Sequence, residues 1–136
     1  MDLSKLPFFT AVAGRLTWLS ERHQLLASNL ANADTPGYRP KDLKPVGFAE
    51  LIQKAVASLR MRRTDGAHMG AAQGSDRASF RIQRDQDVFE VSPAGNAVVL
   101  EEQMLKAADN AMQHQLVTNL YSKQINLIRI AIGRGR

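Results

Sequence analysis

In two stretches of this chain, positions at alternating steps of three and four mark out a seam. In the first they are Phe9, Val12, Leu16, Leu19, His23, Leu26, Leu30 and Ala33, with His23 filling one step. A repeat near 3.5 residues belongs to a helix buried along one narrow line, and the flanking Arg15, Thr17, Ser20, Glu21, Arg22, Gln24 and Ser28 are polar as such a helix requires. The spacing predicts a helix over Phe9–Ala33, roughly 37 Å long at about 1.5 Å per residue. Pro7 fits its first turn, where a missing N–H costs nothing.

The second stretch, Leu100 to Ile132, predicts roughly 50 Å of helix and carries two stripes. The first stripe is Leu100, Met104, Ala107, Ala111, His114, Thr118, Tyr121, Ile125, Ile128 and Ile132. The second is Leu105, Ala108, Met112, Leu116, Leu120, Leu127 and Ile130. Glu101 and Glu102 near the start and Arg129, Arg134 and Arg136 near the end each match the sign of the helix dipole. Gly133 supplies the stop. A hairpin of two helices covers one stripe and leaves the other in water. Large apolar side chains gain about 1.5–3 kcal/mol each on full burial, so a bare row of them calls for a cover. Either the middle of the chain folds over the row or neighbouring molecules do. The middle is short of apolar residues, which favours neighbours and makes the chain look like a subunit.

The expected fold class is mainly α, with the two terminal helices packed as a coiled-coil-like hairpin around an irregular, partly flexible middle. The chain divides into 1–38, a helix ending in a turn; 39–96, a variable, basic, loop-rich segment; and 97–136, the second helix, which forms one packing unit with the first. Within the middle, Pro40, Pro45 and Pro93 interrupt any long period. Phe48–Leu59 predicts one short amphipathic helix, and the weak alternation of Phe80–Val91 predicts one or two short strands. The Gly66, Gly70 and Gly74 series lies between them in a stretch that reads as mobile loop.

Charge adds little to this picture. The net charge is +5 over 136 residues, and Lys54, Arg60, Arg62, Arg63, Arg77, Arg81 and Arg84 against Asp65 and Asp76 account for all of it. That block has no aromatic interleaving beyond Phe80, which suits a solvated loop better than a surface that stacks nucleic acid. A small basic helical nucleic-acid-binding module is the alternative it leaves open. The chain has no cysteine, which excludes disulfides, thiolate metal sites and thiol catalysis. No apolar run approaches membrane-spanning length, and no cleaved leader is expected at Met1–Phe9.

Nothing in the sequence points to an enzyme or to a cofactor. His23, His68 and His114 are isolated, and the two on seam positions read as buried structural histidines. Glu101 and Glu102 are adjacent, so they point to different helix faces and make no carboxylate pair.

The most specific stretch is LASNLANADTPGYRPKDL, Leu26 to Leu43. Pro36 pushes Thr35 out of helical geometry. Pro36-Gly37 suits the centre of a type II turn with Gly37 at positive φ, and Tyr38 supplies an amphipathic ring to pin it. Asn32 and Asp34 can satisfy the last helical groups. Asn29 and Asn32 share a face beside the Leu26/Leu30 seam. They read either as a solvated polar face or as amides that hydrogen-bond a neighbouring chain and fix its register.

SNLANADTPGYRPKDL resembles the N-terminal signature of the flagellar rod and hook proteins, an Asn-Leu-Ala-Asn core followed by Thr-Pro-Gly-Tyr. The short length and the run from Gly95 to Ile132 are similar to members of the proximal rod of the basal body, and RRTDGAHMG is similar to a Thr/His-containing patch there. The resemblance implies a non-enzymatic structural subunit, exported unfolded through the flagellar type III gate. It would join copies of itself, other rod proteins and the rod-to-MS-ring junction protein, with Asn29, Asn32, Thr35, Pro36, Gly37 and Tyr38 as the assembly motif. It implies no nucleic acid, no membrane span and a place in the periplasmic rod. The chain departs from that pattern at Val99, where Asp is usual, and at Gln103, where Glu is frequent. Val99 cannot cap the second helix, which leaves Asn96 as the candidate cap one turn earlier.

Overall fold

The computed structural model describes residues 6–57, 80–85 and 91–133. Its elements in chain order are α1 (Pro7–Ala31), β1 (Lys41–Leu43), α2 (Phe48–Ala57), β2 (Ile82–Arg84) and α3 (Leu100–Ala131). The fold is mainly helical, and both long helices fall where the apolar period places them. Pro7 opens α1 behind an extended Leu6, and beyond α3 Gly133 takes a φ of +76°. The short helix and one short strand also form. The loop expected at 61–79, with its Thr/His patch and His68, lies outside the described residues, as do positions 58–59 and 86–90.

β1 has no signal in the sequence, because three residues between Pro40 and Pro45 are too few to show a period. It pairs antiparallel with β2, Lys41 opposite Arg84, Asp42 opposite Gln83 and Leu43 opposite Ile82. The ladder extends by hydrogen bonds from Asp85 N to Pro40 O (3.0 Å) and from Lys44 N to Arg81 O (2.9 Å). Trp18, Leu19 and Leu43 form the buried centre, with Leu25, Val46, Phe80 and Val117 packed around them. Trp18 Nε1 donates to Lys44 O at 3.1 Å, and the Arg15 guanidinium stacks 4.4 Å from the ring centre. The ribbon is therefore wedged against the middle of α1. α2 covers the first half of α1, where Leu51 is buried beside Gly14 and the Phe48 ring meets Phe8 edge-on.

α1 and α3 run antiparallel. Going down α1, Asn29 meets Gln103, Leu19 meets Asn110, Arg15 meets Gln113, and the Phe9 ring meets Tyr121 edge-on at 5.6 Å. This pairing corrects the expected seam. On α1, Phe9, Val12, Leu19 and Leu26 are buried and Leu16 is half-buried, but His23 and Leu30 face outward. The line passes instead through Arg22 and Asn29. On α3, the upper part of the first stripe is displaced by one residue. Gln103 and Asn110 are buried while Leu100, Met104, Ala111 and His114 are exposed. Neither histidine is a buried structural residue. Hydrogen bonds choose these positions: the polar side chains one residue before the apolar ones have partners on α1.

Ion pairs hold the ribbon to both helices. Arg22 grips Asp42 with Nε and Nη2 at 3.0 and 2.8 Å and reaches Asp109 at 3.8 Å. The bond to Asp42 raises its pKa above the ordinary arginine value despite burial. Lys106 lies between Asp85 and Glu102. Burial opposes its charge, but the bonds to Asp85 and Glu102 outweigh burial and raise its pKa. A raised lysine pKa contributes stability that is complete below the ordinary value of about 10.4 and is lost as pH climbs through the folded value. Lys106→Met is expected to lower stability by about 1–3 kcal/mol in urea denaturation near neutral pH. The gap between wild type and variant should narrow in strongly alkaline buffer; a gap that stays constant there would show that the ammonium is not its source.

Candidate functional site

The signature turn and the start of α3 form one junction. Asn29, fully buried at the end of α1, offers both faces of its carboxamide to Lys41: Oδ1 accepts the Lys41 N–H at 3.0 Å and Nδ2 donates to Lys41 O at 2.7 Å. This is how a peptide unit of a neighbouring strand would bond, so one side chain completes the outer edge of β1. The same Nδ2 donates to Gln103 Oε1 at 3.0 Å, and the same Oδ1 accepts the Tyr38 hydroxyl at 3.2 Å. The amide is saturated within its own chain. Neither reading of Asn29 holds: it is not on a solvated polar face, and its amide bonds its own chain rather than a neighbouring one.

Asn32 sits at the rim, donating to Ser28 O at 2.8 Å and accepting from Thr35 Oγ1 at 3.2 Å. The turn closes with Tyr38 N on Thr35 O, and Gly37 takes a φ of +72° as a type II turn demands. Thr35, Pro36 and Gly37 are exposed.

Asn96, buried, reaches back across this turn. Its Nδ2 lies 3.0 Å from Asn32 O, 2.6 Å from Ala33 O and 2.7 Å from Thr35 O. The last carbonyls of a helix have no partner inside it, and here a side chain more than sixty residues downstream supplies one. Asn96 thus serves the end of α1 and the turn after it; its Oδ1 accepts Val98 N, and Val99, the residue before α3, makes no side-chain cap. Gly37 N donates to Ala94 O and Ala97 N to Tyr38 O. Gly95 takes a φ of +77°, and a β-carbon there would stand 3.5 Å from the Gly37 α-carbon, so two glycine backbones pass in contact. The role of Asn96 has a sequence signal only in hindsight: an asparagine after Gly95, facing a helix end rich in small residues.

The other side of α3 is bare. Leu105, Met112 and Leu116 are 72%, 67% and 70% exposed, and Leu120, Leu127 and Ile130 are also exposed. From the first stripe Leu100, Met104, Tyr121 and Ile132 join them, while Ile125 and Ile128 are half-buried. Among the described residues the middle segment does not seal this face: α2 lies on α1, and the ribbon lies against Trp18. Charge is nearly absent as well. Between Ala107 and Ser122 the one charged residue is Asp109, whose carboxylate lies near Arg22. The outer surface of α1 is similar, with Thr10, Ala13, Thr17, Ser20, Gln24, Ala27 and Ser28 exposed around a half-buried Glu21. Arg81 and Arg84 of the basic block are exposed on the ribbon, away from this face.

No group of three or more acidic or histidine side chains is placed to hold a metal among the described residues. No described helix is long and apolar enough to cross a membrane. What the hairpin offers is a largely apolar helical face along α3, free of charge over its middle part and flanked by the exposed Glu101, Lys123 and Arg129.

Sequence comparison agrees with this picture. Residues 13–39 match the family model described as flagella basal body rod protein, a span that covers most of α1 and the whole turn through Tyr38. The flagellar basal body rod protein FlgB of Agrobacterium fabrum is 27% identical over 133 residues, covering 98% of both chains. That of Escherichia coli is 30% identical with 78% of each chain covered, and that of Cereibacter sphaeroides 31% identical with 82% of each. At this identity over more than three quarters of its length, this chain belongs to the FlgB family of flagellar basal body rod proteins.

Proposed function

We propose that the chain is a non-enzymatic structural subunit of the proximal part of the flagellar rod. Its α1–α3 hairpin, 1–38 with 97–136, is the packing unit, and the outer face of α3 is the surface that neighbouring subunits cover. The observation that carries this reading is the exposed row Leu105, Met112, Leu116, Leu120, Leu127 and Ile130 on a helix that already has its intrachain partner. Neighbouring molecules that lay apolar side chains on this row would take it out of water. Neighbours built on the same plan, copies of this chain and other rod proteins, have matching helices to offer. Torque would pass through these packed faces along the shaft.

The relatives' place in the basal body supports a periplasmic rod location for this chain. Delivery through the flagellar type III gate without a cleaved signal, and contacts with the rod-to-MS-ring junction protein, follow from the same reading. In it, Asn29, Asn32, Thr35, Pro36, Gly37 and Tyr38 serve assembly by fixing the angle and register at which α3 leaves the junction.

Two substitutions test this. Leu116→Glu puts a charge at the centre of the outer face while leaving the intrachain seam intact. The helical circular dichroism of the purified chain should be unchanged, but motility of cells carrying it as their sole copy should be abolished; normal swimming would refute the role of this face. Asn29→Ala removes the partner of Lys41, Gln103 and Tyr38 together and should destabilise the chain by about 2–4 kcal/mol, because several buried groups lose hydrogen bonds at once. A loss under about 0.5 kcal/mol in urea denaturation, the range of an ordinary surface change, would remove Asn29 from the junction.

A further inference from the structure

We propose that the polar groups buried between α1 and α3 are a pairing code, by which each chain's α1 selects its own α3 in one antiparallel register rather than the α3 of a neighbour. The inference rests on the subunit reading, since only a molecule surrounded by copies of its own helices needs such selection.

The groups recur at heptad spacing on one line of α1: Arg15, Arg22 and Asn29. Each meets a complementary group on α3. Arg15 Nη2 donates to Gln113 Oε1 at 2.6 Å, Arg22 lies beside the Asp109 carboxylate, and Asn29 donates to Gln103. Between the first two, Asn110 Nδ2 donates to the backbone carbonyl of Leu19 at 3.0 Å. Shifting α3 by one turn, reversing it or turning another face inward would break the bonds to Gln113, Gln103 and the Leu19 carbonyl, while Arg15, Arg22 and Asn29 would keep only their partners Val46 O, Asp42 and Lys41 O. A buried donor without a partner loses its full desolvation energy, which penalises the wrong pairing more than it rewards the right one. The outer face of α3 makes no such distinction, since Leu105, Met112 and Leu116 fit any apolar helix.

The seam is also not the most stabilising one available. Gln103 Nε2 and Asn110 Oδ1 are buried with no protein partner among the described residues. A leucine at Asn110 would bury as much and leave no polar atom behind, whereas one at Gln103 would also take away an acceptor of Asn29 Nδ2. Polar seam residues that add little stability but define register and partner are a known device of coiled coils.

The chain has no cysteine of its own, so a reporter is simple to build. Phe9→Cys and Tyr121→Cys are placed together in the full chain, where the native rings stand 5.6 Å apart, outside the polar ladder. A short thiol cross-linker then gives an intrachain product when α1 pairs with its own α3, and dimers when it pairs with another's. With the native seam the intrachain product should dominate. Adding Gln103→Leu and Asn110→Leu should raise the interchain-to-intrachain ratio about tenfold, the effect of losing discrimination worth about 1.4 kcal/mol, with helical content retained. An unchanged ratio in a folded double variant overturns the proposal. Should the double variant unfold, Asn110→Leu alone decides, since it removes one hydrogen bond together with the unpartnered oxygen: a several-fold rise supports the code, a flat ratio ends it. The ratio is read in solution without any rod, so it can fail while the Leu116→Glu motility result stands, and the reverse.

Discussion

The carboxamide of Asn29 stands in for a strand. It bonds both backbone groups of Lys41, so β1 needs no neighbour on that edge, and it binds Tyr38 and Gln103 with the same two atoms. Four segments are fixed by this one side chain: the end of α1, the turn, the start of the ribbon and the first turns of α3. Asn96 completes the arrangement from the other side by donating to the carbonyls of the turn that follows α1, those of Asn32, Ala33 and Thr35. Because both bonds run between distant parts of the chain, neither the end of α1 nor the start of α3 has its observed shape without the other. The corner between the helices is therefore set by directional bonds, and the direction in which α3 departs is set with it.

A second constraint follows from geometry. α3 has 32 residues and α1 has 25, and a helix can turn only one side toward a partner. Here that side is the more polar one. The ionic groups are used between elements: Arg22 with Asp42 and Asp109, Lys106 with Asp85 and Glu102. With these charges drawn inward, the middle of the outer face, from Ala107 to Ser122, is left nearly free of charge. Contacts made through that part depend on shape and burial more than on ionic strength.

The apolar period shows where the helices lie, how long they are and that α3 has surplus surface, because burial along a helix leaves that periodic trace. It shows less well which line of α3 meets α1. Counting apolar residues places Met104, Ala111 and His114 in the seam, whereas Gln103 and Asn110 occupy it, since hydrogen-bonded amides override apolarity when partners are in reach. The spacing of Arg15, Arg22 and Asn29 is visible in the sequence, and only the assumption that seams are apolar hides it. The Thr35–Tyr38 turn is legible because proline and glycine restrict the backbone locally. Asn96 and β1 are not, since each depends on residues far away along the chain, and no local pattern records a bond between positions 33 and 96.

These features divide the work between two kinds of force. Inside the subunit, where one geometry must be reached, apolar contacts of Val12, Leu19 and Leu26 alternate with amides and guanidiniums that tolerate little displacement. Outside it, the side chains that α3 would offer to neighbours are mainly leucine and methionine, which repack easily. The reverse assignment would serve a rod poorly. Apolar seams within subunits would exchange freely with the apolar faces between them, and polar outer faces would demand a separate match for every neighbour. A subunit that is stiff within itself and undemanding at its surface can occupy slightly different environments along a shaft without changing its own shape.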